Sequence, residues 1–225
     1  MIEIHDLSFR KFEIKNLNIP PGVTAVIGPN GGGKTTFLRL IAGLLQPTSG
    51  EITVQGRSTH TMETGFVNEY PDRNILFYQV KDELATPLMF RGLPCNEISE
   101  KVYSCAARAD FSHLLTRSAK ELSGGEKAML AILTAVISTP EILILDEFDS
   151  HMDLKSISLA YRVIYSTRAG YILQCTQNME LAARCDHILF IKGGKPELFG
   201  TPDEVFRSLV DTCFYPLSWR IRDGN

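Results

Sequence analysis

The sequence has no C-x-x-C pair; its five cysteines, Cys95, Cys105, Cys175, Cys185 and Cys213, are scattered and odd in number. That argues against a disulfide framework or a structural zinc site and fits packing or surface thiols in a reducing compartment. Long hydrophobic runs are missing too. The longest, around Ala128 to Ile137, falls far short of the roughly 20 residues that span a bilayer. The N-terminal MIEIHDLSFR lacks the basic-then-apolar layout of a secretory signal. A soluble protein is therefore expected, any membrane association coming through a partner. Nor does one charge dominate: 23 Lys+Arg against 26 Asp+Glu leave a net charge of −3. That balance gives no electrostatic case for a nucleic-acid partner. Internal repeats, low-complexity tracts and Gly/Ser-rich linkers are also absent.

What is present, 44% hydrophobic and 22% charged residues, is ordinary for a globular chain with a sizeable core. A length of 225 residues suits one large domain, with or without an inserted subdomain. Alternation and β-branched content predict strands at Ile2–Phe9, Phe12–Ile19, Val23–Ile27, Glu51–Val54 and Thr64–Val67. An amphipathic helix is expected over Thr35–Leu45, ended by Pro47-Thr-Ser-Gly50. The stretch from about Asn74 to Leu122 reads as mostly helical with a break at Arg91-Gly-Leu-Pro94, and Lys127–Ile137 reads as a further helix. Glu141-Ile-Leu-Ile-Leu145 is a continuous apolar run, as a parallel strand buried on both faces requires. Tyr171–Thr176 and His187–Lys192 follow as strands around a helix at Met179–Cys185. Alternating strands and helices at both ends predict an α/β core with a mostly parallel sheet, the helical middle being an insertion.

Gly28-Pro-Asn30-Gly31-Gly32-Gly33-Lys34-Thr35 fits G-x-x-x-x-G-K-[ST], between a strand and a helix that continues through Thr36. The glycines let backbone N–H groups curl toward phosphate oxygens, and the helix adds its positive N-terminal end. Lys34 is expected on the β- and γ-phosphates and Thr35 on Mg²⁺. A glycine-rich turn would match this pattern by chance in a chain of this length about once in a hundred, with Gly near 7% of residues. The loop alone leaves kinases, GTPases and motor ATPases open.

Leu122-Ser123-Gly124-Gly125-Glu126 precedes a helix and lies about twenty residues before a hydrophobic strand ending in Asp146-Glu147. Together with the phosphate loop, these segments make the chain resemble the ATP-binding cassette (ABC) ATPases, whose signature Leu-Ser-Gly-Gly-Gln is altered only at Glu126. Ser123, Gly124 and Gly125 offer a hydroxyl and backbone N–H groups at a helix start, a second anion site. The resemblance implies that this site closes over ATP bound to a second subunit. It also implies that Asp146 holds Mg²⁺ through water, that Glu147 is the general base on the attacking water, and that Asp153 belongs to the loop following this pair.

Two further positions depart from the family. Glu69 stands where a glutamine senses the γ-phosphate and Mg²⁺; a carboxylate can still approach the metal but adds negative charge. Gln177 stands in Thr176-Gln-Asn-Met179 where a histidine is usual, and it cannot carry a histidine's positive charge. Phe12 is the candidate for stacking on adenine, with Phe9 assigned to the core.

The resemblance implies one ABC ATPase domain: residues about 1–73 and 123–225 form an antiparallel β subdomain plus the phosphate-loop core, and about 74–122 form the helical subdomain. Its cofactors would be ATP and Mg²⁺. Its partners would be a second ABC ATPase subunit and integral membrane transporter subunits at the cytoplasmic face of the membrane. The segment Val80–Pro94 is similar to energy-coupling-factor and cobalt-type importers. The competing class is a non-transport ABC protein of DNA repair, chromosome organisation or translation, which usually carries coiled coils, tandem cassettes or basic segments not seen here. A plain kinase or GTPase would leave the Ser123–Glu126 segment unexplained.

Overall fold

The computed structural model of the chain describes residues 1–71 and 75–223. In chain order these form β1 (Ile2–Phe9), β2 (Phe12–Ile19), β3 (Gly22–Ile27), α1 (Lys34–Ile41), β4 (Ser49–Val54), β5 (Arg57–Ser58) and β6 (Thr64–Val67). Then come α2 (Val80–Phe90), α3 (Cys95–Arg108), α4 (Gly124–Val136), β7 (Ile142–Asp146) and α5 (Leu154–Tyr165). The chain continues through β8 (Tyr171–Cys175), α6 (Met179–Ala182), β9 (His187–Lys192), β10 (Lys195–Gly200), α7 (Pro202–Arg207) and α8 (Leu217–Asp223). The boundary expected at 73/74, and Asp72 just before it, lie outside the described residues.

Residues divide into two compact units, Met1–Met62 with Gly170–Asn225, and Glu63–Ala169. In the first, β1 pairs antiparallel with β2, Ile4 opposite Leu17 and Phe9 opposite Phe12. Their alternating apolar residues put one face inward, where Ile2, Ile4, Leu7, Phe12, Ile14 and Ile19 are buried. β4 pairs antiparallel with β1 on its other side, with a register shift between His5 and Ser8 where Asp6 turns to φ 45°. A second group of strands in this unit runs β10-β9-β3-β8, with β3 parallel to both β8 and β9.

In the second unit β6 and β7 pair in parallel, Val67 beside Leu145, and every residue of β7 is buried. Helix α4 packs on β6, α2 and α5. The expected break at 91–94 separates α2 from α3, with Gly92 in the left-handed region at φ 71°. Together the parallel pairings and the antiparallel N-terminal sheet bear out the α/β expectation.

Several elements differ from the sequence reading, α4 among them, which begins at Gly124 rather than Lys127. α1 stops at Ile41 rather than Leu45, because Gly43 at φ 69° reverses the chain. Leu44 N–H then donates to Arg39 O and Gly43 N–H to Leu40 O, the paired bonds of a Schellman end. After Arg108 the middle segment holds only short 3₁₀ turns, at Ser112–Leu114 and Ala119–Glu121. α6 is shorter than expected, ending at Ala182.

Candidate functional site

β3 delivers the phosphate loop and α1 leaves it. Gly28 has φ 139°, and a Cβ there would lie 2.0 Å from Ile191 O, so only glycine lets the loop leave the sheet beside β9. Gly33, at φ 107°, is the N-cap residue of α1, and no side chain caps that helix start. Its left-handed turn leads straight into the first helical turn at Lys34, Thr35 and Thr36, the form of an anion-binding helix start. Lys34 is buried, and its Nζ donates to Gly28 O at 3.0 Å and Pro29 O at 3.2 Å. Those carbonyls offset the cost of burying an ammonium and hold it against the loop.

Beside the loop lies a cleft of about 380 Å³ lined by Gly31, Gly32, Gly33 and Thr36, by the β1–β2 hairpin residues Phe9 to Phe12, and by Gly193 and Gly194. Gly194 N–H donates to Gly32 O, and Glu13 N–H donates to Gly194 O. The β9–β10 turn therefore ties the phosphate loop to the hairpin. Sequence reasoning missed this Gly-Gly turn, although a Gly pair between two strands is a turn signal.

The hairpin corrects the assignment of its two aromatics. Phe12 is only 3% exposed; its ring stacks on Phe37 with centroids 6.1 Å apart. A Cβ at Gly33 would meet that ring at 2.9 Å. Phe12 supports the loop from beneath and has little face to offer a nucleobase. Phe9, expected in the core, is half-buried at the end of β1, and the Arg10 guanidinium lies 5.2 Å from its ring centroid. Both rings share the inward face, as their cross-strand pairing demands, but only Phe12 sits over α1.

Gln177, also in the first unit, follows β8 on the surface. Its Nε2 donates to Asn30 Oδ1 of the phosphate loop at 3.2 Å. Asn178 caps α6, its Oδ1 accepting from Glu180 N–H and Leu181 N–H.

The remaining candidates lie in the second unit. Ser123 and Glu126 form a reciprocal capping box at the start of α4: Ser123 Oγ accepts from Glu126 N–H, and Glu126 Oε2 accepts from Ser123 N–H at 2.7 Å. These hydrogen bonds hold the Glu126 carboxyl below its ordinary range. The Ser123 hydroxyl proton remains a donor beside the exposed Gly124. A carboxylate and an amide serve a capping box alike, which explains why glutamate fits at Glu126; its charge, however, works against an incoming anion.

Asp146 is buried at the end of β7, and Glu147 follows at φ 47°, a left-handed conformation that costs a non-glycine residue free energy and marks functional positions. Ser150 N–H and Oγ–H both donate to Glu147 O. Asp153 is the N-cap of α5; Ser156 N–H donates to its Oδ1 at 2.8 Å, which keeps this carboxyl below its usual range. Glu69, just after β6, is half-buried.

One carboxylate escaped the sequence reading. Glu83 in α2 is 3% exposed, and its Oε2 accepts from Leu76 N–H and Phe77 N–H, both at 2.8 Å. It fixes a segment that turns Leu76 and Tyr78 out to solvent at 79% and 64% exposure. On α2 the side chains of Met89 and Phe90 are likewise exposed.

Residues 13–150 match the ABC transporter family. The chain is 40% identical over 175 residues to the biotin transport ATP-binding protein BioM of Rhizobium etli, covering 76% of this chain and 78% of that protein. It is 31% identical over 226 residues to the energy-coupling factor transporter ATP-binding protein EcfA1 of Mycoplasma mobile, covering 92% and 82%. Among solved structures it resembles cbiO1 from Clostridium perfringens, part of the ABC transporter complex cbiONQ. That likeness has a TM-score of 0.80 and 26% identity, and covers 92% of this chain and 90% of the other.

Proposed function

The chain belongs to the ABC transporter family, and from that premise we propose that it is one of two ATPase subunits driving a membrane importer of the energy-coupling-factor or cobalt type. It is an ATP-binding, ATP-hydrolysing transporter subunit. The observation that carries the reading is the phosphate loop, with left-handed Gly28 and Gly33, an uncapped α1 start and the held Lys34 ammonium. Such a loop suits the polyphosphate of a nucleotide, and the adjoining cleft suits the rest of it.

Mg²⁺ is the proposed companion ion. Each unit by itself carries hard oxygen donors of the kind it takes: the Thr35 hydroxyl in the first, the buried Asp146 carboxylate and Glu69 in the second. The ion supplies Lewis-acid neutralisation of phosphate charge. The chain's own residues do the rest: Lys34 binds phosphate oxygens, Glu147 takes a proton from the attacking water, and Gln177 donates its amide N–H to the transferring group.

The second subunit would contribute a Ser123–Glu126-type segment in trans, so that ATP binding draws two subunits together and hydrolysis releases them. Membrane subunits would ride on that motion. The exposed apolar side chains Leu76, Tyr78, Met89 and Phe90, all in the second unit, support a docking face for such a subunit. No helix among the described residues is long and apolar enough to cross a membrane, so association with the cytoplasmic face would come through that partner.

The test is Lys34→Ala. Equilibrium binding of ATP to the purified chain should weaken about ten- to a hundredfold, the loss of one charge-assisted contact. Unchanged affinity would overturn the assignment of the loop.

A further inference from the structure

Glu180 lies three residues beyond Gln177, on the first turn of α6, and it is bound to the far end of the sequence. Its Oε1 accepts from Ser218 N–H at 2.9 Å, and its Oε2 accepts from Ser218 Oγ–H at 2.6 Å. The carboxylate thus closes the start of α8 from outside that helix, where its negative charge is favoured. These bonds hold Glu180 below the usual carboxylate range.

α8 is itself anchored. Trp219 packs edge-on against Phe206 at 5.3 Å and against Tyr215 at 6.1 Å. Phe206 and Tyr215 belong to the buried cluster that also takes Met179 and Ala182 of α6. α6 has only four residues, too few to hold its own position. It is fixed by the Asn178 cap before it, by this apolar contact beneath it, and by Glu180 to Ser218 at its side. The other end of this connection is Gln177, whose amide reaches Asn30 in the phosphate loop.

We infer that Glu180 and Ser218 are positioning residues for hydrolysis, the C-terminal helix α8 holding α6 so that Gln177 stays against the phosphate loop. The inference rests on the reading of the chain as an ATPase that uses Gln177. A glutamine amide reaches its acceptor only from a narrow range of backbone positions, and it lacks the charge that would tolerate a looser fit. Release of α6 should therefore lower turnover more than nucleotide affinity.

The experiment is steady-state ATP hydrolysis by the full chain carrying Glu180→Ala, Ser218→Ala or Ser218→Thr. Glu180→Ala should lower kcat about three- to tenfold, the worth of a lost side-chain hydrogen bond, with little change in KM. Ser218→Ala should follow in the same direction, and Ser218→Thr, which keeps both donors, should restore the wild-type value. In a Gln177→Ala background Glu180→Ala should cost nothing further, because it acts through that side chain. An equal loss in both backgrounds would overturn the inference, as would parallel changes in kcat and KM. The ¹⁵N signal of the Gln177 side-chain amide gives a readout independent of turnover. It should move in Glu180→Ala, and an unmoved signal would overturn the coupling even if the wild-type chain proved inactive on ATP, which would instead refute the ATPase reading.

Discussion

At the end of β7 two neighbouring carboxylates are held in different ways. Asp146 completes the strand and is 3% exposed, whereas Glu147 is half-buried and turned into the left-handed region. Nothing in the local sequence requires that turn; a glycine or asparagine would adopt it more readily. A strained conformation kept on a glutamate is understandable if it aims the carboxylate, and the proposed base on water needs such aim. Glu147→Gln keeps the shape and removes the basicity. Hydrolysis should fall by roughly two to four orders of magnitude while ATP binding remains. A single-turnover rate equal to wild type would remove Glu147 from the mechanism. The Asp146-Glu147 pair was legible as sequence because it follows an unbroken apolar run. The covering of Phe12 was not: both it and Phe9 lie on the inward face, and which ring is covered depends on Phe37 of α1 arriving over Phe12. The buried Glu83 was equally hidden, since an acidic residue in the first turn of a helix ordinarily faces water.

Helix boundaries show where local pattern suffices and where it does not. The segment 122–126 reads as preceding a helix, and Ser123 does cap α4, but the reciprocal bonds between Ser123 and Glu126 start that helix at Gly124 rather than at Lys127. The end of α1 was misplaced because Leu44 and Leu45 prolong the apolar rhythm; Gly43 ends the helix first and leaves Leu44 exposed. The α4 cap also carries a pH signature. Hydrogen bonds from Ser123 depress the folded-state pKa of Glu126 below its ordinary value of 4.5. Its contribution is therefore fully present above that value and is lost as pH falls through the depressed folded-state pKa. Glu126→Gln offers an acceptor that does not titrate. Urea midpoints should favour wild type over Glu126→Gln near pH 7 by no more than about 1 kcal/mol, because the group is mostly exposed. The difference should shrink or reverse well below pH 4.5. A difference that stays constant from pH 7 to acid would show that the Glu126 charge has no part in the cap.

For the whole molecule the open matter is what pairs with it. A proposed homodimer would place Glu69 and Gln177 in both of its ATP sites. Each site would then lack the charge-assisted contact a histidine supplies, a loss of about 1.5–3 kcal/mol of transition-state stabilisation, or roughly ten- to a hundredfold in rate. A heterodimer would avoid that, the Ser123–Glu126 segment of this chain completing an unaltered site on a partner while its own loop holds ATP in a slower one. The retained Lys34, Asp146 and Glu147 would leave the slower site able to turn over, and the Gln177 bond to Asn30 keeps its side chain within reach of the loop. We therefore favour the heterodimer. The chain purified alone should hydrolyse ATP slowly, and Gln177→His should raise kcat by roughly ten- to a hundredfold if the missing charge limits the reaction. The gain should be larger at pH 6 than at pH 8, since an unperturbed imidazole is protonated below about 6.5. Brisk turnover by a purified homodimer, with no gain from Gln177→His at either pH, would mean that the amide alone suffices. Two copies of this chain would then form a complete motor.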